Sequence, residues 1–194
     1  MAEQLPLVRM ATDCETTGLK AGYHEILQLA FIAFDNDLNP TGHEFKSYVI
    51  PTRPYAFSKK AQEVNKIDLK DINPVLTPNL VRASFMEWFN NTFPDHKISA
   101  LGHGYTFDKR FYELFFTEDI YEKLFHYRFE DSQISARLLK SAGLLDVKSV
   151  GLQSLCNYLG VERKKEHDAY EDALATLKVY KKLLGILKGL KAKA

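Results

Sequence analysis

Asp13 and Glu15 stand at alternate positions in Asp13-Cys14-Glu15-Thr16-Thr17-Gly18, directly after the apolar run Leu7-Val8-Arg9-Met10-Ala11-Thr12. In a strand, residues two apart project from the same side, so the two carboxylates would stand together where a buried strand ends. Like charges raise each other's pKa and both lose water on burial. A divalent cation is the simplest compensation. Taken alone, the pair has a plainer reading, two acids in a surface turn before Gly18. A second group lies in Glu166-His167-Asp168-Ala169-Tyr170-Glu171-Asp172. Asp168, three residues before Glu171 and ahead of an apolar-periodic run, has the spacing of a capping box. That fixes Asp172 one turn inside a helix and leaves His167 on the loop before it. A fixed acid beside a mobile imidazole suits a metal ligand with a general base, because histidine titrates nearest neutrality. By itself His167 would be a solvated loop residue, and Asp108, in the first turn of a helix, would be explained by the helix dipole.

The elements that must position these groups follow from apolar periodicity. Strands are expected over 7–13, 25–35 and 43–50, the second covered on both faces and the third near an edge because it alternates and stops at Pro51. A short helix is expected over 58–64. Thr77-Pro78 starts a longer one, with Val81, Phe85, Trp88 and Phe89 on one face as core and Pro94 beyond its end. Residues 97–101 form a fourth strand leading into Gly102-His103-Gly104, followed by a helix over 107–116 with Phe107, Phe111, Leu114 and Phe115 inward. A last strand over 127–129 ends at Asp131-Ser132, which caps a helix running to residue 141. A helix over 150–159 stops at Gly160. The last helix carries Ala169, Ala173, Leu177, Tyr180 and Leu184 and fades into the lysine-rich 188–194. Strands first and helices later give one α/β domain, a mixed sheet flanked by helices.

The 194 residues suffice for one domain with its own core. A net charge of +1 argues against a wholly electrostatic binder of nucleic acid but permits local basic patches around an acidic centre. No apolar run approaches a membrane span, residues 1–6 are too short and polar for a signal peptide, and a cytoplasmic location is the expectation. Cys14 and Cys156 are too few for a disulfide scaffold or thiolate site. Cys14 is expected to face away from Asp13 and Glu15, and Cys156 to be core.

Three segments in order carry a family resemblance. Asp13-x-Glu15-Thr16-Thr17-Gly18-Leu19, His103-Gly104-Tyr105-Thr106-Phe107-Asp108 and His167-x-Ala169-x-x-Asp172 resemble the three motifs of the DEDDh 3′-5′ exonucleases. That family includes the proofreading (epsilon) subunit of bacterial DNA polymerase III. The resemblance covers nearly the whole chain: His24-Glu25-Ile26-Leu27-Gln28-Leu29-Ala30 is similar to the family's second strand, and 61–67 to the link after its third. The sister branch has Tyr where this chain has Asp168, so the histidine branch fits. Two departures are His103-Gly104 in place of the usual His-Asn, and Asn65-Lys66 where His-Gly is common. Neither touches a metal ligand.

The resemblance implies a ribonuclease H-like exonuclease fold with a mixed five-stranded sheet, one exonuclease domain over 1–187, and a short basic tail over 188–194. It implies two divalent metal ions, Mg2+ or Mn2+, held by Asp13, Glu15, Asp108 and Asp172, with His167 as the catalytic base. The backbone of Thr16, Thr17, Gly18 and Leu19 would meet the terminal sugar and its 3′-hydroxyl, with Leu19 against the last base and Phe107 beside it. The partner is then a single-stranded DNA 3′ end, with a DNA polymerase as a second partner in the family. Arg163-Lys164-Lys165 would draw phosphates to the site or simply be solvated, and Lys109-Arg110 and the tail lysines have the same two readings. Three alternatives stay open: an RNA-directed 3′-5′ exoribonuclease, a non-catalytic nucleic-acid or polymerase-binding module, and an internally cutting or strand-transferring nuclease of the same sheet topology.

Overall fold

Alternation along β1 (Leu7–Thr16) sends Met10 and Cys14 into an aromatic core on one face and Ala11 into a separate cluster on the other. The computed structural model describes residues 5–191; residues 1–4 and the end of the lysine-rich tail, 192–194, lie outside it. β2 (Ile26–Phe34) pairs antiparallel with β1, and β3 (Pro40–Tyr48) pairs antiparallel with β2. β4 (Lys97–Gly102) runs parallel to β1, and β5 (Glu130–Asp131) parallel to β4. The result is the expected mixed five-stranded sheet, in the order β3-β2-β1-β4-β5. β2 is buried along its whole length, as a continuous apolar run requires, whereas β3 is largely exposed at the edge.

One face carries α2 (Pro78–Thr92), α3 (Thr106–Phe116) and α4 (Glu118–Leu124). Phe31 of β2 meets Phe85 at 4.7 Å between ring centroids, and Phe85 meets Phe116 at 5.0 Å. The polar Thr12 survives in this core because its hydroxyl bonds the Ala30 carbonyl at 2.8 Å and the Tyr112 hydroxyl at 2.7 Å. The other face carries α7 (Ala169–Lys191), whose Ala169 and Ala173 lie on Ala30 and Ile32 while Leu177 and Tyr180 meet Ala11, Phe34 and Leu101. Alanines facing alanine let the helix axis approach the sheet closely, which brings the N-terminal turn of α7 to the end of β1. α5 (Ser132–Ser141) and α6 (Leu152–Leu159) brace α7 from outside through Leu139, Leu155, Cys156 and Val179. α1 (Lys59–Asn65), capped by Ser58, closes the end of β1, with Ser58 N–H donating to Thr17 O at 2.8 Å. Among the described residues no helix is long and apolar enough to cross a membrane.

Several expectations shift. The last strand is β5, not 127–129. Tyr127 is 71% exposed, Phe129 turns onto the Tyr105 ring at 5.0 Å, and Glu130 enters the sheet because Arg9 of β1 forks onto its carboxylate at 2.8 and 3.0 Å. An acidic pair in a strand carries no apolar signal. β3 begins at Pro40, whose missing N–H is harmless at the start of an edge strand, and ends before Val49. α4 escaped notice because only Tyr121 and Leu124 are buried within its seven residues. On α3, Leu114 is 58% exposed, while Tyr112 and Phe116 are buried beside Phe111 and Phe115. The helix must meet the sheet and α2 at once, which centres its buried stripe one residue further round. α7 continues to Lys191, into the stretch read as a tail.

These face assignments make a stability prediction. Phe85→Ala should cost about 3–5 kcal/mol, and Leu114→Ala no more than about 0.5 kcal/mol, in chemical denaturation. Similar losses at both positions would contradict the packing described.

Candidate active site

The first motif leaves the sheet through an irregularity. The β1–β2 register shifts between Glu15 and Thr16, and beyond it the backbone of Thr16 to Gly18 is fixed by side chains. Thr17 accepts from Glu25 N–H at 3.0 Å, and Thr16 Oγ1 donates to Gly18 O at 2.8 Å. Asn65, buried, donates to Thr16 O at 3.2 Å and accepts from Ile67 N–H at 3.1 Å. The departure to Asn65-Lys66 therefore has a structural part: Asn65 pins the first motif, and Lys66 takes the left-handed turn, φ +55°, that suits glycine. A Cβ at Gly18 would lie 2.4 Å from the His24 ring, so a side chain there would require that ring to move. Glu15, Thr16, Gly18, Leu19, Asn65 and Phe107 border a mainly apolar cavity of about 220 Å³, with Leu19 78% exposed at its rim.

Asp131 organises the second motif. Its carboxylate caps α5 through Gln133 and Ile134 N–H and also accepts from Gly104 N–H at 3.1 Å and Tyr105 N–H at 2.9 Å. Gly104 stands at φ +76°, so the usual amide side chain is replaced by backbone held on Asp131. His103 bonds Ser132 Oγ through Nδ1 at 2.8 Å, and burial pushes its pKa down to about 4, so the ring is neutral. Asp108, in the first turn of α3, is buried and accepts from Cys14 N–H at 3.1 Å and Cys14 Sγ at 3.2 Å. Cys14 is thus buried on the side away from Asp13 and Glu15, as expected, but it touches the third acid.

The third motif begins on Gln28, the one amide in β2. Its Oε1 accepts from Ala169 N–H at 3.0 Å and its Nε2 donates to Asp168 Oδ2 at 3.3 Å. Asp168 caps α7, accepting from Glu171 N–H at 3.4 Å. His167, at φ +57°, is half-buried beside the cap. Ligand atoms of Glu15, His167 and Asp172 all lie within 4.8 Å of one another, a spacing that one cation can span. Asp13 and Asp108 fall outside that triad but act on it electrostatically. Burial pushes the Asp13 carboxyl well up, and Asp108, Asp172 and Glu15 add to it. Burial, then Asp172 and Asp108, push Glu15 to about 8, and burial takes Asp108 to about 7. Asp172 is also raised by burial, against the pull of Arg163. A set of buried carboxylates that resist joint ionisation, with one imidazole, is a donor set for hard divalent cations.

Arg163 is a correction to the sequence reading. Rather than lying solvated on the surface, its side chain is 5% exposed and forks onto Asp172 with Nε and Nη2, each at 2.5 Å. Lys165 stays outside, 63% exposed and 3.6 Å from Asp168. Asp13, His103, Arg163, His167 and Asp172 share an open cleft of about 490 Å³, so the two acids of one strand end border different cavities. Gln28 was visible in the sequence as a lone amide in an apolar strand; Arg163 carried no comparable signal.

Residues 10–180 match the family model described as Exonuclease (RNase_T). The chain belongs to the exonuclease (RNase_T) family. No curated protein matches it in sequence. Among solved structures, E. coli exonuclease I in complex with a dT13 oligonucleotide is 20% identical with a TM-score of 0.74, the match covering 98% of this chain and 43% of that one. Cell-death related nuclease 4 (CRN-4) is 17% identical with a TM-score of 0.72, covering 92% of this chain and 63% of that one. An exonuclease I from Methylocaldum szegediense is 21% identical with a TM-score of 0.70, covering 92% and 40%. At such identities the likeness is one of fold, the ribonuclease H-like exonuclease fold, and the chain spans about two fifths of the exonuclease I structures it matches. The family uses divalent metals, and in this chain the carboxylates of Glu15 and Asp172, with His167 beside them, offer a place where such an ion fits.

The raised acids set a pH dependence. In the metal-free fold, Glu15 and Asp108 keep protons that the unfolded chain releases near the ordinary values of 4.5 and 3.8. The folded state therefore binds more protons between these values and about 7 for Asp108 or about 8 for Glu15, so stability falls as pH rises across that window and levels off above it. Thermal unfolding in EDTA should show Tm dropping between about pH 4 and about pH 8, with saturating Mg2+ removing most of the drop. A flat profile would contradict the electrostatics described.

Proposed function

We propose that the chain is a metal-dependent 3′-5′ exonuclease that shortens single-stranded or frayed DNA 3′ ends and releases nucleoside 5′-monophosphates. The observation that carries this reading is the convergence of Glu15, His167 and Asp172 within 4.8 Å beside an apolar cavity rimmed by Leu19 and Phe107. Asp13, Glu15, Asp108 and Asp172 are the residues to hold two divalent ions, Mg2+ or Mn2+. Such ions, when bound, supply a lowered pKa for the attacking water and charge neutralisation at the departing 3′-oxygen.

The remaining work belongs to the chain. His167 takes the proton from the attacking water, and its half-buried place on the loop before α7 lets it face both Asp172 and solvent. The backbone of Thr16, Thr17, Gly18 and Leu19, held by Asn65 and Glu25, meets the terminal sugar. Leu19 and Phe107 flank the last base with apolar surface, which tolerates any base. DNA is favoured as the polymer because solved structures of the same fold carry DNA oligonucleotides. We assign the activity to one exonuclease domain over 1–187, acting in the cytoplasm in proofreading or repair.

Digestion of matched 3′- and 5′-labelled DNA oligonucleotides, with Mg2+ or EDTA, tests polarity, end dependence and metal requirement at once. Mononucleotides should leave the 3′ end only when metal is present, and a closed circle should survive. Asp13→Ala should abolish release, and His167→Ala should lower kcat by about 10²–10⁴-fold with folding intact. Activity unchanged in either variant, or RNA degraded in strong preference to DNA, would overturn the corresponding part of the proposal.

A further inference from the structure

Arg163 sits in the loop between α6 and α7 among exposed neighbours, Glu162, Lys164, Lys165 and Glu166, yet its own side chain is almost wholly covered. Nε and Nη2 occupy the two oxygens of Asp172, and Nη1 donates to Gln153 Oε1 at 3.0 Å. A planar guanidinium fits a carboxylate in this two-pronged way. Its charge is therefore directed into the acidic centre and away from the surface. Asp172 also belongs to the three-residue group whose ligand atoms lie within 4.8 Å. Both oxygens that a cation would need are already engaged by nitrogen donors. A metal ion and a guanidinium brought to the same buried carboxylate would also repel strongly, because the surroundings screen poorly.

We infer that Arg163 is a built-in counter-ion of the acidic centre, holding Asp172 in the metal-free protein and giving up at least one of its oxygens when a divalent cation binds. This rests on the metal-dependent reading above. Because Arg163 and His167 share one loop, the exchange would also loosen the segment that carries the imidazole. The displaced guanidinium then stands at the open cleft, where a strand's phosphate is its natural new partner. A fixed clamp that merely aims Asp172 would behave in the opposite way, since removing it would disorder a ligand and weaken metal binding.

The sign of the change in metal affinity separates the two. Mn2+ alone is titrated calorimetrically into the full chain and into Arg163→Gln, without nucleic acid. The variant should bind about tenfold more tightly, a typical size for coupled equilibria. Its metal-free Tm should fall below that of the unaltered chain, and the gap should close at saturating Mn2+. Equal or weaker binding by the variant overturns the inference. Should the variant fail to fold, hydrogen exchange of the unaltered chain decides: amides over 161–167 should exchange faster once Mn2+ is added, and unchanged or slower exchange refutes the displacement. An unaltered chain that takes up no Mn2+ refutes the metal-dependent reading as well. One that binds Mn2+ and degrades DNA, while Arg163→Gln gains no affinity, refutes the counter-ion alone.

Discussion

Negative charge that cannot be left in water or left unmatched is the constraint on which this structure depends. Glu15, Asp108 and Asp172 are buried and Asp13 is half-buried, all where β1 ends and α3 and α7 begin. Each is driven toward its protonated form by burial, and Asp13 and Glu15 also by the neighbouring acids. Such a cluster would ordinarily be removed from a core. It is tolerable where protons, an arginine or a cation can offset it in turn, and the same property is what the proposed metal-dependent chemistry would draw on.

The fold answers this constraint by fixing the backbone of each motif from outside it. Asn65 of α1 holds the backbone after Glu15, Asp131 holds the turn before Asp108, and Gln28 holds the first residues of α7 before Asp172. Each of these supports is a polar side chain buried or half-buried with its partners satisfied, so the acids cannot relax apart to relieve their repulsion. The departures from the family pattern fall into the same scheme. Asn65 gives back a backbone anchor, and Gly104 lets its N–H reach Asp131 where a longer side chain would be usual. Close packing of Ala169 and Ala173 on Ala30 completes the arrangement by seating α7 on the sheet.

Much of this was legible in the chain itself because it is local. Strand parity put Asp13 and Glu15 on one side, a capping box set Asp172 inside a helix and His167 outside it, and Gly160 ended α6. Among the described residues, four of the five strands and six of the seven α-helices followed from apolar period and end signals. The failures share a cause. β5 is two acidic residues made strand-like by Arg9, and α4 buries too few residues to show a period. Leu114 was turned inward by a helical wheel that could not know α3 packs on two neighbours.

What the sequence by itself determined is the set of acids, their order, the elements that carry them and, through the motifs, membership of a nuclease family. It did so because periodicity and capping act over a few residues and leave their trace there. Tertiary structure alone decided that Asp108 rests on Cys14, that Gln28 and Asp131 anchor motifs they do not belong to, and that Arg163 turns inward to Asp172. Those contacts join residues up to 141 positions apart, or lie in a loop without a period. Their existence depends on where packing places each element, and no local pattern records that.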